Sequence, residues 1–261
     1  MEAAAAVGLP HSVVTHVNRR NTSELDQVHD LVQASGAYAW QVQLGTDMGN
    51  LGDHRDLLPR PQDLPRIERI LAKLVRRSSM RVIASDSIGY YGPNERTLRA
   101  HRRSGRFTGC QAGLSVIGIE SNGNVKGCLS ILAGYNSRGA DFVEGNIRDR
   151  SLSDIWNDED SFAYNRRWSL DRLEGFCREC RHARRCRGGC FAKAVASGEG
   201  VDNPLCVHRA LKTSGERTAV AQHAAAALFA SVLAGTIGGC HEGDDPDDVG
   251  EQDGGLDASA D

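Results

Sequence analysis

No cysteine precedes Cys110, so all eight of the chain's cysteines lie from there onward and thiolate chemistry is excluded from the first part. No uninterrupted apolar run reaches the ~20 residues that a membrane span needs. The most apolar stretch, Ala219 to Gly238, is dominated by alanine and broken by Gln222 and His223, so it reads as a packed helix and no membrane partner is expected. The opening M-E-A-A-A-A-V-G-L-P is acidic and lacks both the basic region and the apolar run of a signal peptide. The expected compartment is the cytoplasm, where thiols stay reduced and bind metal more often than they pair. Aromatic residues make up only 5% of the chain, and Phe176 and Phe191 alone lie near enough to the cysteines to stack a base. A nucleic-acid partner is therefore not expected. Lys and Arg are missing from 241–261, which carry nine acids, leaving 31 basic against 25 acidic side chains, a net of +6, in 1–240. That acidic tail has too little apolar content to offset the entropy of ordering and reads as disordered.

What is present before Cys110 alternates strand and helix. Ser12 to Val17 is a short β-branched run, and Asn21 with Glu24 three residues on predicts a capping box. The helix it would open carries Leu25, Val28, Leu31 and Val32 on one face and ends at Gly36. Tyr38 to Leu44 reads as the next strand, and Asp63 with Pro65 starts a second helix bearing Leu64, Ile67, Ile70, Leu71, Leu74 and Val75. Met80 to Ser85 follows as a third strand. Such βα repeats predict an α/β fold with a parallel sheet.

The cysteines are dense and regularly spaced. Cys177, Cys180, Cys186 and Cys190 form C-x2-C-x5-C-x3-C, and fifteen residues later comes Cys206. A segment with Gly188, Gly189 and few large apolar residues cannot build a packed core, so its five thiols need something to hold them together. Upstream, Cys110, Gly123 and Cys128 form C-x12-G-x4-C. The intervening Asn122-Gly123 predicts a β-hairpin with a two-residue turn, pairing Ile119 with Lys126 and Ile117 with Cys128.

Seven cysteines in this order and spacing resemble the SPASM domain, the auxiliary-cluster extension of radical SAM enzymes that modify peptides and proteins. Gly145 to Asn157, G-N-I-R-D-R-S-L-S-D-I-W-N, resembles the segment such domains place between the two cysteine groups. The resemblance covers about residues 105 to 210. It implies two [4Fe-4S] clusters, since each needs four soft anionic ligands. Cys177, Cys180, Cys186 and Cys206 would hold one. Cys110, Cys128 and Cys190 would hold the other, with its fourth position open because Val116 stands where some relatives carry an eighth cysteine. Cys240 is expected to stay a free thiol. Arg178, Arg181, Arg184, Arg185 and Arg187 would offset the clusters' negative charge, and Glu179 and His182 lie among the ligands.

The resemblance further implies that 1–105 is the second half of a partial (β/α)6 barrel, about three βα units. After it come a small cysteine-rich α+β domain over 106–210, an alanine-rich helix over 211–240 and the acidic tail over 241–261. The opening E-A-A-A-A-V-G-L-P reads as a helix tail with a glycine C-cap, as though the chain began within a unit. Asn18, Gln41 and Gln43 are candidates to contact an adenosyl group. The C-x3-C-x2-C loop of radical SAM enzymes is missing, so this chain alone is not expected to cleave S-adenosylmethionine. A partner chain supplying the other barrel half, or a longer gene product, would be needed, and a peptide or protein would be the substrate. Two other readings stay open: a peptide-binding module without turnover, and a zinc protein, whose tetrahedral thiolate site the same four cysteines would suit, with its arginines on nucleic acid.

Overall fold

The β-branched runs and amphipathic segments before residue 85 fold into parallel strands with helices packed on one face. The computed structural model describes residues 1–131, 142–196 and 201–215, of which Met1–Gly215 form one compact unit. Cys240, the tail at 241–261 and positions 216–240 of the alanine-rich stretch lie outside the described residues.

Helix α1, Glu2–Ala6, closes on Gly8, whose φ of 67° lets its N–H reach Ala5 O at 3.0 Å. Strand β1, Ser12–Val17, helix α2, Leu25–Ala34, and strand β2, Ala39–Leu44, follow. Helix α3, Leu64–Arg77, and strand β3, Arg81–Ala84, complete the sheet, which runs β1-β2-β3 with both pairings parallel. Neither edge strand has a further strand partner among the described residues.

Trp40, Val42 and Leu44 alternate along β2 into one core with Leu25 and Val32 of α2 and Leu64, Ile67, Leu71 and Leu74 of α3. Each of those α3 side chains is at most 2% exposed, and burial of such a side chain contributes roughly 1.5–3 kcal/mol. The opposite sheet face carries Val14, 55% exposed, with half-buried Gln41, Gln43 and Ile83.

Two local expectations fail for identifiable reasons. The Asn21 side chain does not cap α2: its Oδ1 accepts the Asn18 N–H at 2.9 Å and its Nδ2 donates to His16 O at 2.8 Å. It closes the turn after β1, as asparagine does when a local backbone partner competes with the cap. Leu31 faces solvent at 63% exposure while His29, at 1%, takes the inward position.

Beyond helix α4, Glu95–Leu98, a second sheet is antiparallel: β4, Gly118–Ile119, β5, Asn124–Lys126, and β6, Gly145–Asn146. Here the hairpin register differs from expectation by one residue, since Gly118 pairs with Lys126 and Ile119 with Val125. The loop has three residues rather than two: only Gly123, at φ 93°, is left-handed, and its N–H closes the turn onto Glu120 O at 2.9 Å. The ladder therefore has no Ile117–Cys128 rung. Helix α5, Leu152–Asn157, starts at Ser151, whose Oγ accepts the Asp154 N–H at 3.1 Å. Helix α6, Ala163–Arg166, follows, and Val125, Ile155 and Phe162 make a small second core.

The loop after β3 joins the two halves. Arg99, fully buried, donates to Ala84 O at 2.6 Å, to Ser85 O at 3.0 Å and to Ile88 O. Gly89, Tyr90 and Tyr91 follow at φ 98°, 75° and 57°. Two consecutive left-handed tyrosines store backbone strain of order 1–3 kcal/mol each, which persists only where surroundings hold it.

Candidate metal centres

Short helices present the first four thiols. Cys177 lies in α7, Gly175–Glu179, and Cys180 just past its end. Cys186 ends α8, Ala183–Cys186, and Cys206 immediately precedes the helical residues 207–215. These four line one tight cavity of about 20 Å³ with Tyr91 and His182. Backbone N–H groups point at the sulfurs: Asn203 N–H reaches Cys177 Sγ at 3.3 Å and His182 N–H reaches Cys180 Sγ at 3.4 Å. Burial, with the neighbouring thiols second, pushes Cys186 up strongly. Burial pushes Cys177 up to about 12 and Cys206 up to about 11. Cys177, Cys186 and Cys206 therefore resist ionising together unless a cation joins them, and metal binding reverses that balance by displacing their protons.

Cys190 leaves this group. Arg187, Gly188 and Gly189 all hold left-handed φ, 55°, 81° and 88°, and turn the chain into helix α9, Phe191–Ala196. There the Cys190 thiol feels the charge of Cys110 and Cys128, and burial raises it to about 11. Cys110 is likewise raised by burial, with Cys128 adding to the effect, while the Ala112 and Phe191 N–H groups donate to its sulfur. Asn165, 3% exposed, anchors that segment by donating to Cys110 O at 2.8 Å and Ala112 O at 2.7 Å.

Among the described residues no three His, Cys, Asp or Glu side chains converge closely enough to hold one metal ion. A single zinc would need its sulfurs ~2.3 Å from one point. The first four thiols instead stand around a cavity, and both groups have N–H donors aimed at sulfur. That donor set fits a polynuclear iron–sulfur group better than a lone ion.

Asn18 lies in the turn after β1, and Gln41 and Gln43 lie on β2. Asn18 Oδ1 accepts the Arg20 N–H at 2.9 Å in the turn after β1, and Gln43 Oε1 meets His16 Nε2 at 3.0 Å. Gln41 shares the uncovered sheet face with Gln43.

Two residues escaped sequence reasoning. Tyr90, 1% exposed, accepts the Cys190 N–H on its hydroxyl at 3.1 Å, while its backbone O lies 3.7 Å from Cys206 Sγ. Lys193, 7% exposed, donates to Ser87 O at 3.1 Å, and burial lowers it to about 8. It lines a largely apolar cavity with Gly45, Thr46, Asp47 and Asn203, at the carboxyl end of β2. That end of a parallel sheet is where α/β folds bind ligands. No sequence signal separates a buried lysine from an exposed one. The Gly-Tyr-Tyr-Gly run at 89–92, between strand and helix, marks only a turn.

The class follows from sequence comparison: residues 110–181 match the SPASM family, an iron-sulfur cluster-binding domain, and the match includes Cys110, Cys128, Cys177 and Cys180. The mixed α/β fold around it is similar to that of two solved enzyme structures. Mycofactocin maturase MftC of Mycobacterium tuberculosis is 27% identical over 209 residues, 78% of this chain and 48% of MftC. The crystal structure of Streptococcus suis SuiB bound to S-adenosylmethionine superposes with a TM-score of 0.51 at 16% identity, over 78% of this chain and 45% of SuiB. The structure of anSMEcpe with bound AdoMet gives 0.53 at 14% identity, over 81% of this chain and 55% of that one. The chain thus spans about half the length of the curated relatives it matches (48%). Among the described residues no helix is long and apolar enough to cross a membrane.

Proposed function

We propose that this chain is the C-terminal portion of a radical SAM/SPASM peptide-modifying enzyme that carries two auxiliary [4Fe-4S] clusters. Cys177, Cys180, Cys186 and Cys206 hold one; Cys110, Cys128 and Cys190 hold the other, whose fourth position has no cysteine. The observation that carries the reading is the division of seven thiols into a four and a three that share no member. Iron–sulfur clusters supply one-electron redox chemistry and, at an iron without a protein thiolate, a position for a substrate group.

The chain's own residues have separate tasks. The thiolates ligate, and the Asn203 and His182 N–H groups donate to sulfur. Lys193, beside Cys190, presents a buried cation to the cavity at the end of β2, suited to holding a carboxylate or peptide carbonyl of the substrate. The three parallel strands form part of a barrel whose interior is the face of Gln41 and Gln43. SuiB is known bound to a precursor peptide, SuiA, and MftC is named a maturase; by that likeness the substrate is a peptide. Cleavage of S-adenosylmethionine requires a C-x3-C-x2-C loop that these 261 residues do not contain, so turnover needs further residues or a partner chain.

Anaerobic reconstitution tests the reading. The protein should take up about eight irons per chain and absorb broadly near ~400 nm. Cys206→Ala and Cys128→Ala should each lower iron to about half while leaving the other centre's spectrum intact. Recovery of zinc without iron, or full iron retention in Cys206→Ala, refutes it.

A further inference from the structure

Beside the four-cysteine cavity, and sharing Tyr91, His182 and His208 with it, opens a second, polar pocket of about 450 Å³. Its rim carries Arg96 from the α4 helix, Arg106 from the following loop and Arg181 from the cysteine segment. Arg178 pairs with Asp171 and Arg209 with Asp202, but these three guanidinium groups form no ion pair among the described residues. The one lining carboxylate, Glu95, is already committed: it accepts the Tyr91 N–H at 3.0 Å and the Phe107 N–H at 2.7 Å, and it is 5% exposed. Tyr91 stacks on His182 at 4.1 Å and 9°, and His208 meets His182 edge-on at 4.9 Å, giving the pocket a rigid wall.

Three like charges brought together from three separate elements repel one another, which costs stability unless an anion completes the set. Arg96 and Arg106 come from outside the cysteine segment, so their place in this pocket is not set by the spacing of the cysteines. We propose that this pocket binds the carboxylates of an acidic peptide segment. Guanidinium forks suit carboxylates, and three of them spread around a half-open pocket suit several carboxylates spaced along a chain better than one compact anion. Binding itself does not require iron. It deepens the proposed function only in making that peptide part of the substrate, docked one aromatic layer from the four-cysteine centre.

Fluorescence anisotropy on the iron-loaded protein tests this, with a labelled hexapeptide of glutamate, its all-glutamine analogue and inorganic phosphate as probes. The glutamate peptide should bind, the glutamine peptide should not, and phosphate at equal charge should compete poorly. Arg106→Gln and Arg181→Gln should each weaken binding roughly threefold to tenfold, while Arg148→Gln, an exposed arginine of the β6 turn, should leave it unchanged. Equal binding of both peptides, equal loss in all three variants, or full competition by phosphate overturns the proposal. So does unaltered peptide affinity accompanied by loss of iron in the pocket variants, which would assign the arginines to the cluster's charge. Peptide binding by protein that takes up no iron would sink the proposed function and leave the pocket standing.

Discussion

Gly189→Ala is the sharpest probe of the turn that sends Cys190 away from its sequence neighbours. Gly189 sits at φ 88°, where an L side chain costs roughly 1–2 kcal/mol. A Cβ there would stand 2.6 Å from Asn203 Nδ2 and 2.9 Å from Tyr90 Cζ. Neither neighbour yields freely. Asn203 is 4% exposed and its Nδ2 donates to Gly188 O at 3.3 Å, while the Tyr90 hydroxyl is held by the Cys190 N–H. Overpacking of this kind costs a further 1–3 kcal/mol or so, for a total of about 2–5. In a chain of this size that lowers Tm by roughly 4 to 20 °C. Gly36→Ala is the control: φ is 76° but no atom lies within 4 Å of the added methyl, so only the backbone cost of about 1–2 kcal/mol applies. Differential scanning calorimetry on anaerobic, iron-loaded protein reads both, with iron content measured alongside. Gly189→Ala should fall below Gly36→Ala in Tm and lose iron, whereas Gly36→Ala should keep it. Equal Tm values with full iron in both would show that the crossover has room the structure denies it.

Two further perturbations follow from buried polar groups. Asn165→Ala removes the amide that satisfies Cys110 O and Ala112 O, leaving two buried acceptors and costing about 2–3 kcal/mol. The urea midpoint should fall with the slope unchanged, and Asn165→Asp should be worse, since an acceptor would then face two carbonyls; a variant as stable as wild type would contradict the network. Glu68 is 1% exposed, and burial raises its pKa above 4.5 despite the Asn94 N–H it accepts at 3.0 Å. A raised carboxyl contributes stability that is fully present below its unfolded value and lost as pH rises through the folded one. Relative to wild type, Glu68→Gln should therefore gain stability across the pH range above 4.5, the ordinary value, through which the raised carboxyl titrates. A Tm difference that stays constant across that range would remove Glu68 as the cause.

How much of this was legible varies element by element. Helix α3 was, because Leu64, Ile67, Leu71 and Leu74 leave no other period that buries them together. The hairpin was found but misregistered, since Asn122-Gly123 serves a two-residue and a three-residue loop equally, and only backbone geometry separates them. Strand β6 is two residues long and carries no alternation to read. The exposure of Leu31 and burial of His29 were decided by packing against Trp40, whose ring lies 5.9 Å from the histidine. In the sequence, the turn of Cys190 toward Cys110 and Cys128 rested on family resemblance. In the structure its physical cause is the left-handed run at 187–189. Tyr90, Tyr91 and Lys193 gave no signal, because nothing in a sequence marks a tyrosine for positive φ or a lysine for burial.

That loop is also where the two thiol groups meet. Tyr90 touches the three-cysteine group through its hydroxyl and the four-cysteine group through its carbonyl, and its ring packs edge-on against Phe107 at 4.9 Å. The same loop takes Val207 N–H on Gly89 O at 3.0 Å and Lys193 Nζ on Ser87 O at 3.1 Å, while Ser87 Oγ accepts the Leu44 N–H at 3.0 Å. One strained segment therefore ties the end of the parallel sheet, the buried lysine and both sets of sulfurs into a single rigid arrangement. Strain of this kind survives only if many contacts hold it, and here those contacts come from every part of the candidate site. The two cysteine groups share no thiol and are joined in their support.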